Sequence, residues 1–272
     1  MTRADTEGGL YPALLKYWRR RKGLSQLDLA LAAGVSARHV SFLETGRAQP
    51  SRPMILRLGA TLGVPLRDQN GMLRAAGCDP EFAEPGLKDG LPPIVLATLE
   101  RMLAQQEPYP LLIMNRRYEL LRGNTAATRL IAALLPDLSE QAAPLNLLLL
   151  LFTTLRAAVA DWEAVARTLL WRLHREALER PGDAALADLL RTVHALPDVP
   201  EDWRHPDLSA SSDPALCLRL RAGDGELAFL TTVTAFSAPQ SVTLEELRIE
   251  SYFPADDATA AACRAMAGDP AE

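Results

Sequence analysis

The sequence predicts an α+β chain, in which a small all-α bundle is followed by a larger antiparallel sheet covered by helices. Three observations carry this. Residues 10–73 form short helical patterns cut by Gly, Ser and Pro. Two apolar strand patterns near 111–122 and three more after 216 flank a run of helical patterns. Charge divides the same way: residues 1–78 hold 12 Lys/Arg against 5 Asp/Glu, and residues 79–272 hold 17 against 29. A basic segment joined to an acidic one suits a protein that touches nucleic acid through one end. Uneven surface charge without a partner is the bland alternative.

A chain of 272 residues with 48% hydrophobic content has room for two cores. The expected division is a bundle at 1–78, a linker at 79–93 (DPEFAEPGLKDGLPP), a sheet domain at 94–262 and a tail at 263–272. The run LNLLLLLF, Leu145–Phe152, is the most apolar stretch. As a helix it spans only about 12 Å, too short for a membrane. The N-terminus lacks a signal-peptide core, and Cys78, Cys217 and Cys263 are isolated. These features predict a cytoplasmic protein with no membrane partner.

Tyr11, Leu14, Leu15 and Trp18 recur at helical spacing, and Arg19–Lys22 with Gly23 close that helix. Ser25 caps a second helix, with Asp28 at the reciprocal position. Gly34 breaks it, and Ser36 caps a third helix, Ala37 to Glu44, with Val40 and Leu43 facing inward. Gly46 ends that helix. Pro53 marks the start of a fourth carrying Ile55, Leu58 and Leu62, and a fifth covers Leu66 to Ala75. Two short helices joined by a glycine turn inside such a bundle make a helix-turn-helix.

The words Leu24-Ser25-Gln26, Leu29-Ala30, Gly34-Val35-Ser36, Val40-Ser41, Leu43-Glu44, Gly46-Arg47 and Pro50-Ser51 carry a resemblance. Over about 60 residues the segment resembles the phage-repressor-like (XRE-type) DNA-binding domain. The resemblance implies that the second helix of the pair reads the major groove of double-stranded operator DNA. Its outward residues are Ser36, Ala37, Arg38, Ser41 and Phe42, with His39 oblique. Arg38 is the best base reader, because its fork matches guanine O6 and N7. Phe42 suits a thymine methyl; solvation or packing is the alternative for both. Gln26, Arg47 and Arg52 are phosphate candidates. Glu44 would repel phosphate and is expected to bond within its own domain.

In the C-terminal segment, a helix is expected at Ile94–Gln106, then strands at Leu111–Met114 and Tyr118–Arg122 around the turn Asn115-Arg116-Arg117. Asn124 starts a helix to Leu135. Asp161 is expected to cap a long helix that Arg180-Pro181-Gly182 stops, and Asp183 to cap another through His194. A hairpin (216–222 and 226–236, turning at Gly223-Asp224-Gly225) and a last strand near 247–253 complete it. Two strands, helices, then three strands is a PAS-type order. EPYPLLIMNRRYELLRGNTAA, LNLLLLLF, Arg156 with Asp161-Trp162-Glu163, and TVTAFSAPQSVTLEELRIESYFPAD resemble the ligand-binding domain of MmyB-like transcription regulators. The resemblance covers about 92–260. Thr153-Thr154 and Met114-Asn115 depart from the usual pattern, which leaves the pocket's polarity open.

No catalytic motif stands out: there is no Gly-x-Ser-x-Gly elbow, phosphate loop or zincin word, so no enzyme is expected. His39, His174, His194 and His205 show no metal spacing, so no cofactor is required. Apolar side chains remain: Met114, Leu120, Leu148, Leu149, Leu151, Phe152, Trp162, Leu169, Phe229 and Phe236 are candidates for a cavity wall. Arg122, Arg172 or His174 would hold a carboxylate. The resemblance implies a transcriptional regulator with a sensory pocket, though not its ligand; paired half-sites predict a homodimer, and the apolar lining suits a small apolar ligand, best guessed as a fatty acid. A dry core serving only dimerisation, or a haem or flavin sensor, are the competing readings.

Overall fold

The computed structural model describes residues 9–87, 90–136, 145–180, 183–197, 199–204, 216–223 and 225–268. The expected helix stop at Pro181-Gly182, the turn residue Asp224 and His205 lie outside these, as do 269–272 of the expected tail and 88–89 of the linker. The chain divides into two compact units, 1–86 with 237–245, and 87–236 with 246–272.

The first unit holds α1 (Leu10–Arg21), α2 (Gln26–Ala33), α3 (Ala37–Glu44), α4 (Arg52–Leu62) and α5 (Leu66–Ala75). Its core gathers Tyr11, Leu15, Val40, Leu43, Ile55 and Leu58, positions that the apolar periodicity places inward, together with Leu29 and Leu73. Ser25 and Asp28 form a reciprocal capping box: Ser25 Oγ accepts from Asp28 N–H (3.1 Å), and Asp28 Oδ2 accepts from Ser25 N–H (2.9 Å). Gly34 ends α2 at φ +64, and a β-carbon there would meet nothing within 4 Å. The requirement is therefore conformational, not spatial.

Residues 79–86 pack back onto this unit. Asn70 Oδ1 accepts from the backbone of Glu81 and Phe82 (3.0 Å each). The segment 237–245 does so too. Val242 N–H donates to the Ala83 carbonyl (3.0 Å), and Glu245 Oε2 accepts from Leu66 N–H at the start of α5 (2.9 Å).

The second unit contains α6 (Pro93–Gln105), β1 (Leu111–Met114), β2 (Leu120–Gly123), α7 (Thr125–Leu134), α8 (Leu147–Phe152), α9 (Trp162–Glu179) and α10 (Ala184–His194). These are followed by β3 (Leu216–Ala222), β4 (Gly225–Thr234), the short α11 (Val242–Glu246, straddling the two units), β5 (Arg248–Pro254) and α12 (Asp257–Ala267). The sheet is fully antiparallel in the order β2-β1-β5-β4-β3. Leu112 and Met114 of β1, Leu218 and Leu220 of β3, and Leu227 and Phe229 of β4 share one core with α7–α10. Alternation along each strand puts these side chains on one face.

Three local expectations differ from the structure. The second strand starts at Leu120, not Tyr118, because Asn115 closes the preceding turn: its Oδ1 accepts from Arg117 N–H (2.9 Å) and Glu119 N–H (3.1 Å). Tyr118 leaves that turn at φ +63, a left-handed conformation that a strand does not allow. Asp161 makes no capping hydrogen bond and instead faces Arg219 at 3.8 Å. Finally, α12 runs through position 263, where a tail was expected; Asp256 caps it through Thr259 N–H (2.7 Å) and Gly268 ends it at φ +81.

Candidate functional site

In the first unit the candidate surface is the outer side of α3. Ser36 Oγ caps the helix by accepting from His39 N–H (3.1 Å). Val40 and Leu43 are fully buried, which turns Ser36 and Arg38 to solvent and leaves Ala37, His39, Ser41 and Phe42 at the edge. Arg38 lies one helical turn before Phe42, and its guanidinium stands 5.1 Å from the ring centroid. The ring holds the cation while its hydrogen-bonding edge stays available for a base. Arg47, past the end of α3, is exposed. A separate groove along α1 is lined by Lys16, Arg20 and Arg21 beside Tyr17; of these cations the sequence marks Arg20 and Arg21 only as closing that helix.

Two phosphate candidates are partly committed elsewhere. Gln26 donates its amide to Glu44 Oε2 (2.8 Å), which spends one of its two N–H groups. Arg52 is the second: its Nε donates to Glu81 Oε2 (3.0 Å) and its Nη1 to the Asp79 carbonyl (3.1 Å). Glu44 bonds within its own unit, as its sign of charge required.

The second unit holds a partly open cavity of about 50 Å3. Leu147, Leu148 and Leu151 of α8, Met114, Leu169 and Leu218 make its apolar wall, and Tyr118, Arg172, Glu250 and Tyr252 make its polar end. Glu176 organises that end. It accepts from Tyr118 Oη (3.0 Å), pairs with Arg248 Nη2 (2.8 Å) and lies 3.3 Å from Arg172 Nε. Both guanidinia also stand over the Tyr118 ring, at 5.1 Å for Arg248 and 5.9 Å for Arg172. Burial, helped by the Glu176 charge, pushes the Tyr118 phenol up to about 12, so it stays a donor. Burial raises the Glu250 carboxyl above its ordinary range, against the pull of Arg172 and Arg248. Neither the Glu250 carboxylate nor the Tyr252 hydroxyl makes a hydrogen bond among the described residues.

Residues 95–266 match the family model described as the MmyB-like transcription regulator ligand binding domain. The chain belongs to this family. Residues 15–69 match the model described as Helix-turn-helix, which covers α2, α3 and the candidate surface. A search of curated proteins gave no match. This MmyB-like protein is therefore a DNA-binding transcription regulator with a ligand-responsive domain. No helix among its described residues is long and apolar enough to cross a membrane.

The structure sorts the regulator's predicted cavity residues. Met114, Leu148, Leu151, Leu169 and Arg172 line the cavity. Leu120 and Leu149 are half-buried against the adjoining core. Phe152 packs edge-on against Trp162, centroids 5.1 Å apart, outside the cavity wall. Phe229 is fully buried behind Tyr252, centroids 5.8 Å apart. Phe236, just past β4, is half-buried and does not line the cavity. Arg122 corrects the expectation of a carboxylate holder: it pairs with Glu100 on the surface. His174 is likewise turned elsewhere, with its Nε2 2.9 Å from His194 Nε2.

Tyr118, Leu147, Leu218, Glu250 and Tyr252 were not foreseen. A signal for the last two was present. In Arg248–Phe253, RIESYF, strand alternation sends Glu250 and Tyr252 to the same face as the apolar wall. An acidic residue on a core face is a marked position.

Proposed function

We propose that this regulator senses an anionic amphiphile, best represented by a fatty acid, and binds a paired operator as a homodimer. The sheet domain is read as a PAS-like sensor and the protein as a binder, not an enzyme. The observation that carries the ligand reading is the cavity itself, which leucines of α8 and the Arg172 guanidinium line together. Removing an alkyl chain from water against those leucines supplies affinity, and a guanidinium fixes a carboxylate.

Two strands, helices and three strands around an antiparallel sheet support the PAS-like reading. For the dimer, the support is that modules of this kind read half-sites about one helical turn apart. As it stands the cavity holds only about four water molecules at about 10–15 Å3 each. A long chain therefore requires α8 to repack. That small volume favours the competing reading, a dry domain that only pairs subunits.

Native mass spectrometry of the purified chain, with solvent extraction, distinguishes the two. A bound species of fatty-acid mass, or decanoate binding that changes operator affinity, is expected. An empty protein that takes up no apolar compound would leave only the pairing role. Sedimentation of the operator complex should show two chains per palindromic site.

A further inference from the structure

Glu250 is an acid on a cavity wall that is otherwise mostly leucine. It sits in the middle of β5, opposite Leu112 of β1 and Val233 of β4. The charged and titratable groups around it come from three places. Helix α9 supplies Arg172 and Glu176, the turn before β2 supplies Tyr118, and β5 itself supplies Arg248 and Tyr252. The lining residues from α8, β1 and β3 are leucines and Met114.

Two guanidinia therefore face two carboxylates, and the polar end is already neutral with Glu250 ionised. A ligand carboxylate would add an unbalanced negative charge against apolar walls. Like charges sharing such a site do not both stay ionised. Glu250 is the member that can yield. Glu176 is held by Arg248 at 2.8 Å and by the Tyr118 hydroxyl at 3.0 Å, whereas Glu250 accepts no hydrogen bond among the described residues.

Resting on the anionic-amphiphile reading above, we propose that Glu250 reads the head group: an anion enters this cavity together with one proton from solvent. The protonated Glu250 then donates a hydrogen bond to the ligand carboxylate, and Arg172 balances its charge. Burial already holds the Glu250 carboxyl high, so the proton is taken up readily. An uncharged alcohol has no such requirement, because it donates to the ionised carboxylate directly.

The test uses the full chain with decanoate and decanol between about pH 6 and pH 8.5, where decanoate is ionised throughout. Decanoate affinity should fall by up to about tenfold per pH unit as pH rises, and decanol affinity should stay flat. Calorimetry in two buffers of different ionisation enthalpy should show uptake of up to one proton per decanoate by the unaltered protein, growing as pH rises. In Glu250→Gln the amide donates without a proton, so the pH slope and the proton uptake should vanish while binding persists.

A decanoate affinity independent of pH, or a slope that survives Glu250→Gln, overturns the role of Glu250 and leaves the ligand reading standing. Binding of decanol alone overturns the anionic reading with it. Uptake of neither compound at any pH removes the ligand reading altogether.

Discussion

Arg19 on α1 and Glu44 at the end of α3 form a two-pronged buried ion pair: Nε to Oε1 is 2.6 Å and Nη2 to Oε2 is 2.9 Å. Arg19 Nη1 also donates to the Leu24 carbonyl (2.7 Å), so one guanidinium ties the first helix to both halves of the helix-turn-helix. Burial alone would raise the Glu44 carboxyl, but hydrogen bonds from Arg19 and Gln26 outweigh it and hold the group below its ordinary range. Because its value is depressed on folding, the pair's contribution is complete above about pH 4.5, the unfolded value, and is lost as pH falls through the folded one. Arg19→Ala leaves Glu44 buried without its cation and should destabilise the first unit by about 3 kcal/mol. Faster hydrogen exchange of the α1–α5 amides at neutral pH would register it; unchanged protection would show that the pair contributes nothing.

Arg38→Ala should weaken operator binding by roughly 10- to 100-fold and relax preference at one base position, as expected for losing a bidentate guanine contact. Arg47→Ala should instead weaken binding to all sequences alike and lower the salt slope by about 1. Titrations at two salt concentrations separate the two. Equal losses on operator and random DNA for Arg38→Ala would move the base reader elsewhere on α3.

Leu148 is 2% exposed and lines the cavity. Leu148→Ala should cost about 3 kcal/mol through lost burial and a larger void. A saturating apolar ligand at about 100 times its Kd should return about 2.7 kcal/mol. Thermal melts with and without decanoate read both effects. A dry core would give the loss without the recovery.

His174 and His194 face each other across α9 and α10, with rings 4.9 Å apart. Burial first, then His174 and Arg204, lower the His194 value on folding. The sign is that of a depressed group: the neutral form is favoured in the folded state. Stability is therefore full above about pH 6.5, the unfolded value, and declines as pH falls toward the folded value. The melting midpoint of the second unit should be lower at about pH 5.5 than at about pH 7.5, and His194→Gln should reduce that difference. A midpoint that moves equally in both proteins would place the sensitivity outside this pair.

Elements set by local signals were legible in the sequence. The capping box at Ser25, the turn at Gly34, the Ser36 cap and the inward Val40 and Leu43 all follow from residue type and spacing, and the structure shows each. What depended on long-range proximity was hidden. Arg52 meets Glu81 and Asp79, His174 meets His194 at a separation of 20 residues, and Tyr118 reaches Glu176 at 58. No periodicity encodes such meetings. Aromatic residues were over-assigned to the cavity because size and apolarity do not say which side of a core they fill. Phe152 and Phe229 pack against other rings instead. Leu145–Phe152, too short to span a membrane, proves to be largely the one-and-a-half-turn helix that supplies half of the cavity's apolar wall.

The return of residues 237–245 to the first unit sets limits on how the gene can be divided. A reading head cut after position 86 loses Val242, which is fully buried, and the carboxylate that caps α5 at Leu66. A reading head meant to keep its native packing therefore has to include 237–245 as well as the N-terminal segment.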